Sequence, residues 1–324
     1  MFEKYADNPV IPAAHGTFYS FYSANPDILE FKGKLFYYFR GQSEAHHDQI
    51  GVAVEEKDGF DGIRFRNILP DPVIPVSADP DAPDSLHILD PGSAVLNGKV
   101  FLYYSAYSEK GGFGICLATS EDGVRFERSP LNPIVTGALA PEPVIKDGRI
   151  YLFYQRWQEK NGKHAQTYFC PSGDGYTFDF SEETEVFSPP EDCVSISTNR
   201  IYREGEWYYD LFGKCRKFKD YPESIGIARS RDLIRWEYSE KDVITRGAPG
   251  TWDEGALWFA TVYRQNGRYY LWYEGGGTGN GRNTPGDIVA SDLAIHSDYG
   301  GYGVTSFSQI GLAVYDGSLE EFFS

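Results

Sequence analysis

DILEFKGKLFYYF, residues 27–39, sets a short apolar strand, a Lys-Gly turn and an aromatic strand end to end. The same unit returns as SAVLNGKVFLYY from Ser93, EPVIKDGRIYLFY from Glu142, NRIYREGEWYYDLF from Asn199 and ATVYRQNGRYYLWY from Ala260. Its turn glycines, Gly33, Gly98, Gly148, Gly205 and Gly267, are spaced by 65, 50, 57 and 62 residues. Spacing this uneven around so uniform a core describes one repeated unit whose loops vary.

Each copy continues into a third strand: IGVAV from Ile50, GICLAT from Gly114, QTYFC from Gln166, IGIARS from Ile225 and IGLAVY from Ile310. A polar turn and an aromatic follow: Asp61-Gly62 to Phe65, Asp122-Gly123 to Phe126, Asp174-Gly175 to Phe178, Asp232 to Trp236, and Asp316-Gly317 to Phe322. These turn residues suit the positive φ values that tight hairpins need. The pattern predicts an all-β chain, a five-bladed β-propeller of four-stranded antiparallel blades, with residues 1–324 forming a single domain. Extended connectors leave four copies: DPVIPV from Asp71, NPIVTG from Asn132, TEVFSP from Thr184 and DVITRG from Asp242. The fifth copy has none, while NPVIPA from Asn8 opens the chain, so the N-terminal segment is expected to close the ring and remove its free edges.

Composition agrees. Tyr (24), Phe (22), Gly (35) and Pro (19) are abundant, and there is one Met, which disfavours a helical bundle. Thirty basic against 47 acidic residues leave a net charge of −17, the wrong sign for a nucleic-acid binder. A neutral partner such as a carbohydrate suits that surface better than an anion. No apolar run is long enough for a membrane span, and MFEKYADNPV lacks the blocks of a signal peptide, so the sequence predicts a cytoplasmic protein without a membrane partner. Cys116, Cys170, Cys193 and Cys215 form no CxxC pair and read as packed thiols. The oligomeric state is not legible.

In a propeller the first strand of each blade lines the central channel, and its start opens beside the loop after the second strand. The first-strand starts carry Asp27, Asp90, Glu142 and Asn199, with Asp253 and Glu254 just upstream of the fifth. Carboxylates converging on one channel provide what acetal hydrolysis needs, one acid and one base, and crowding raises at least one pKa. The loops after the second strands add Arg40, His46, His47, Tyr107, Gln155, Arg156, Trp157 and Glu274 as candidate sugar-binding groups, and Trp157 and Trp252 are candidate platforms or blade-packing residues. His87 and His296 are candidates for a structural channel ion such as calcium, and no cofactor is required. No GxSxG elbow or P-loop is present, and GGGTGNG, residues 275–281, reads as a rim loop.

Asn25-Pro26-Asp27, Leu89-Asp90-Pro91 and Pro141-Glu142-Pro143, each leading into an apolar strand and a Gly turn, resemble the five-bladed glycosidases of glycoside hydrolase family 43 and its relatives over nearly the whole chain. The resemblance implies that Asp27 is the general base, Glu142 the general acid and Asp90 the residue tuning that acid. It also implies inverting hydrolysis of a short arabinofuranoside, xyloside or galactoside. Asp90, however, lies eight residues before its turn glycine, whereas Asp27 and Glu142 lie six before theirs. PGSAVL, residues 91–96, is also similar to the retaining fructosidase relatives. Two other readings stay open: a phosphate-dependent glycoside phosphorylase using Arg40, Arg156, His46 or His47 as anion ligands, and a non-catalytic sugar-binding propeller.

Overall fold

Four of the five first hairpins close through two residues that both have positive φ: Lys32-Gly33, Asn97-Gly98, Asp147-Gly148 and Asn266-Gly267. This mirror-image turn matches the right-handed twist of the strands it joins, so turn chemistry sets the hairpin register. The computed structural model describes residues 1–43, 45–217, 219–249, 251–276 and 308–324.

Five antiparallel sheets result. Their first strands are Tyr22–Phe31, His87–Leu96, Leu139–Lys146, Ser195–Glu204 and Ala256–Gln265, in blades I to V. The second strands are Lys34–Gln42, Lys99–Ser108, Arg149–Arg156, Trp207–Cys215 and Arg268–Gly276, and the third are Asp48–Glu56, Gly112–Ser120, Gln166–Ser172, Ser224–Ser230 and Gln309–Tyr315. Every first strand touches the first strands of both neighbouring blades, and the last touches the first, so the ring is closed around a channel. This is the five-bladed propeller expected from the repeat.

Apolar side chains sit between blades. Tyr38, Val52, Val100, Leu102 and Tyr104, for example, form one core between blades I and II. The outer Asp-Gly turns lock these contacts. At Gly123, which has φ of 78°, a Cβ would come within 2.5 Å of the Phe36 ring, and its carbonyl accepts the Tyr38 hydroxyl at 2.8 Å. Glycine is needed there for both backbone and space.

The outermost strands are short and vary. Blades II, III and IV use Glu127–Arg128, Thr184–Phe187 and Glu237–Tyr238, while blade I has only bridges from Ala53 to Ile68 and from Ile50 to Ile74. TEVFSP is thus the outer strand of blade III itself. In blade V the residues after Asp316-Gly317 are not a strand: Leu319–Phe323 is a 3-10 helix begun by a capping box between Ser318 and Glu321, and it buries Leu319 and Phe322. The outer strand of blade V is instead Glu3–Lys4, paired antiparallel with Val314 and Ala313. Closure follows the connector equivalence. Ile11 faces Ile310 as Ile74 faces Ile50, Val135 faces Ile115 and Ile244 faces Ile225. The Asn8 side chain donates to the Leu312 carbonyl (2.9 Å) and accepts from the Leu312 N–H (2.8 Å), and Asn132 does the same to Leu117 at 3.0 and 2.8 Å.

Candidate active site

Each first strand breaks register once, between Ala24 and Asp27, Leu89 and Gly92, Leu139 and Glu142, Ser197 and Asn199, and Trp258 and Ala260. At the break stands a residue of positive φ: Asn25 (48°), Asp90 (52°), Ala140 (53°), Thr198 (54°) or Phe259 (34°). Such bulges re-aim side chains, and a left-handed non-glycine residue costs of order 1–3 kcal/mol. Five of them at equivalent positions form a ring at one end of the channel.

That ring lines a cavity of about 250 Å³ together with Arg40, Gln155 and Glu274, which occupy equivalent positions near the ends of their second strands. Leu89, Phe113, Leu139, Trp157, Ser197, Lys219, Asp220 and Trp258 complete its walls. Three carboxyl groups therefore share one cavity: Asp90, Asp220 and Glu274. Burial raises all three above their ordinary range. Asp220 reaches about 7, because the nearby charges of Glu274 and Asp90 add to burial and outweigh the Trp258 bond and Arg40. Asp90 is raised despite accepting the Ser105 hydroxyl at 2.7 Å, and Glu274 despite Arg40 and the Asn25 backbone bond. Glu274 also takes the Asn25 side-chain amide at 2.9 Å, fixing blade V to the bulge of blade I.

Arg40 is anchored from behind. Its Nε donates to Asp48 at 2.7 Å and its Nη2 to the Tyr22 hydroxyl at 2.7 Å. Burial would raise Asp48, but Arg40 and hydrogen bonds from His87 and Tyr22 outweigh it and hold the carboxyl at about 2. Asp48 is thus a fixed anion supporting a fixed cation.

Asp27 and Glu142 do not share this cavity with Asp90. The register equivalent of both in blade II is Gly92, two residues beyond Asp90, so the differing offsets from the turn glycine correspond to different levels in the channel. Asp27 and Glu142 line a second cavity, of about 220 Å³, with Ser93, Thr261, Tyr202 and Arg203. Between the levels lies Arg200, 3 % exposed, which donates to Pro91 O (2.6 Å), Pro141 O (3.2 Å) and Glu142 (3.1 Å). Glu142 also accepts the Ile201 N–H at 2.9 Å, and Asp27 accepts the Ser93 hydroxyl. Burial raises both carboxyls, and one guanidinium serves the two of them. Each therefore latches its blade to the next.

The other sequence candidates divide by location. Arg40, Gln155, Trp157 and Glu274 line the mouth cavity, and Trp157 is 39 % exposed there. Asn199 lies buried behind it, bonded to Gln155 (3.1 Å), Thr167 (2.7 Å) and Asp210 (2.5 Å). Tyr107 and His87 stand at the rim, and His46 is an exposed loop residue whose ring is 5.6 Å from that of Phe21. Arg156 turns away to Glu183 at 2.7 Å. Trp252 packs within blade V, stacked on Tyr273 with ring centroids 5.8 Å apart, and Asp253 ties Lys4 (2.5 Å) to Tyr273 (3.0 Å). Glu254 sits on the preceding loop outside the cavity lining. His296 and most of the 275–281 loop fall outside the described residues. Among the described residues no group of three or more His, Cys, Asp or Glu is placed to hold a metal, and His87 commits Nδ1 to Asp48 at 2.7 Å.

Sequence reading missed Lys219, Asp220, Phe113, Trp258 and Phe259. The first two lie on the loop after the second strand of blade IV, the same repeat position that supplied Arg40, Gln155 and Glu274 in other blades. Phe259 was discoverable as the residue eight before Gly267, matching Asp90 before Gly98.

No protein-family model and no curated protein sequence matches the chain. Solved structures do. A thermostable family-43 glycoside hydrolase superposes with a TM-score of 0.65 at 17% identity, covering 90% of this chain and 89% of that one. A β-1,2-mannobiose phosphorylase from Listeria innocua, solved with β-1,2-mannobiose, gives 0.68 at 13% identity over 99% and 98%. An N-acetylgalactosamine deacetylase from F. plautii, in complex with blood group B trisaccharide, gives 0.69 at 14% identity over 99% and 96%. The chain has the five-bladed propeller fold of family-43 glycoside hydrolases and related carbohydrate-active proteins.

Proposed function

We propose that this protein is a glycosidase that hydrolyses a short oligosaccharide at the mouth cavity. One observation carries the reading: Asp90, Asp220 and Glu274 converge in a cavity walled by Phe113, Trp157, Trp258 and Phe259. Hydrolysis of an acetal needs a protonated acid beside the leaving oxygen and an ionised carboxylate to activate water or attack carbon. Asp220, raised to about 7, suits the acid. Asp90, held by Ser105 on the rigid bulge of blade II, suits its partner. Glu274 and Arg40 orient the floor, and the aromatic walls receive the apolar face of a sugar ring. In this reading Asp27 and Glu142 act as blade latches, and the acid and base roles pass to residues at the mouth. The family-43 resemblance favours arabinofuranosides, xylosides or galactosides.

The cation pair Arg40 and Lys219 favours a second reading, phosphorolysis, in which phosphate replaces water. Arg40 already faces Asp48, so Lys219 would carry most of the phosphate charge. A screen of nitrophenyl furanosides and pyranosides with and without phosphate separates the two readings. Phosphate-independent turnover supports hydrolysis, a loss in Asp220→Asn that is far larger on an unactivated oligosaccharide than on nitrophenyl glycosides assigns the acid to Asp220, and the anomer first released, observed by NMR, tests inversion. Saccharide binding without turnover on any substrate would leave a binding propeller.

A further inference from the structure

Three rings of blade II stand directly opposite one another across its first three strands. His87 pairs with Tyr107, and Tyr107 with Phe113. Ring centroids are 4.7 Å apart from Phe113 to Tyr107 and 6.1 Å from Tyr107 to His87, and His47 extends the row by another 6.4 Å. The row starts inside the mouth cavity, because Phe113 is part of its wall. All four residues are half-buried, so the row is partly open to solvent beside the cavity.

The row is also held rigid. His87 gives Nδ1 to the buried Asp48 at 2.7 Å, and His47 Nδ1 contacts the Leu86 carbonyl at 2.9 Å. In both rings Nε2 is left for a partner outside. The Tyr107 hydroxyl has no hydrogen-bond partner among the described residues. Asp48 is at the same time the anchor of Arg40 in the cavity floor, so one buried carboxylate sets the geometry of floor and rim together. Meanwhile the cavity, at about 250 Å³, is smaller than the roughly 300–1,000 Å³ of pockets for drug-sized ligands. It has room for about one sugar ring, and the rest of an oligosaccharide must lie elsewhere.

We propose that Phe113, Tyr107, His87 and His47 form a second saccharide subsite, a track carrying the sugar units next to the one in the cavity, so that the ligand is an oligosaccharide of at least two units. The inference rests on the saccharide reading of the mouth cavity. Ring faces receive the C–H face of each sugar, while the imidazole Nε2 atoms and the Tyr107 hydroxyl bond its hydroxyl groups. Fixed rings lose little freedom on binding, which is how such a shallow surface gains affinity.

The test is a glycan array from monosaccharides to tetrasaccharides, followed by titration calorimetry of the best binder and its shorter fragments. The expected result is an affinity rising about tenfold from one to three units, equivalent to about 1.4 kcal/mol. Tyr107→Ala should collapse the trisaccharide-to-monosaccharide affinity ratio toward one, and Tyr107→Phe should keep most of it. His87→Gln, with thermal unfolding measured alongside, repeats the test at a second ring. Affinity independent of chain length, or an unchanged ratio in both Tyr107→Ala and His87→Gln, overturns the track while leaving the cavity reading intact. Failure of every glycan to bind overturns both.

Discussion

Replacing Arg200 by Met should destabilise the propeller severely and in a strongly pH-dependent way. Arg200 is buried, bonds three first-strand groups of blades II and III, and is the cation serving Asp27 and Glu142. Methionine fills much of the same volume but leaves two buried carboxylates without a counter-charge. Removing one partner of a buried ion pair costs about 3–5 kcal/mol. At roughly 2 °C per kcal/mol for a chain of this size, Tm should fall by ~6–10 °C near neutrality. Both carboxyls are raised by burial in the folded protein, so between the unfolded carboxylate range near pH ~4 and neutrality the folded state holds more protons than the unfolded chain. Stability then decreases as pH rises through that window. Without Arg200 the carboxyls rise further, so the deficit of the variant should be small at pH 5 and largest at pH 8. Calorimetric unfolding of both proteins at those pH values, at one scan rate, measures it. A deficit equal at both pH values, or no deficit at pH 8, would refute the reading of this cluster as a charge-balanced latch.

Asp220→Asn should reduce kcat on an unactivated glycoside by about 10²–10⁴-fold, and the wild-type rate should decline above a pH of about 7, where Asp220 loses its proton; a pH–rate profile without that alkaline limb would count against Asp220 as the acid. Gly92→Ala should fold poorly, because the new Cβ would come within 2.3 Å of the Pro141 carbonyl oxygen of the next blade, and soluble yield together with Tm reads this directly. Asn8→Ala removes two side-chain bonds to Leu312 and should cost about 1–3 kcal/mol. Deleting residues 1–11 exposes the edge of blade V and should cause aggregation, which light scattering would detect.

Much of the architecture was legible in the chain because its determinants are local. Turn pairs such as Asn97-Gly98 and Asp147-Gly148 dictate a hairpin through backbone sterics, and strand alternation around them dictates which side chains meet a neighbouring blade. Ring closure was readable from Asn8 because the connector repeats the chemistry of Asn132, an amide imitating a backbone pair. The capped helix at Leu319–Phe323 escaped this logic: its Asp-Gly turn looks like the others, and the Ser318–Glu321 cap competes with a strand only once Leu319 and Phe322 have a core to enter.

The mouth was half legible. Arg40, Asp90, Gln155, Trp157 and Glu274 could be named from the repeat, because they follow from where first strands begin and second strands end. Which carboxylates share a cavity could not. A bulge of one or two residues in each first strand shifts the register, and it does so at Asn25, Asp90, Ala140, Thr198 and Phe259, residues that carry no common signature for positive φ. Only the packed ring brings those five together, sets Asp90 one level above Asp27 and Glu142, and places Asp220 against Trp258. Hairpins are decided by neighbours in sequence. The electrostatics of the channel depend on groups from different blades that meet only when the ring closes.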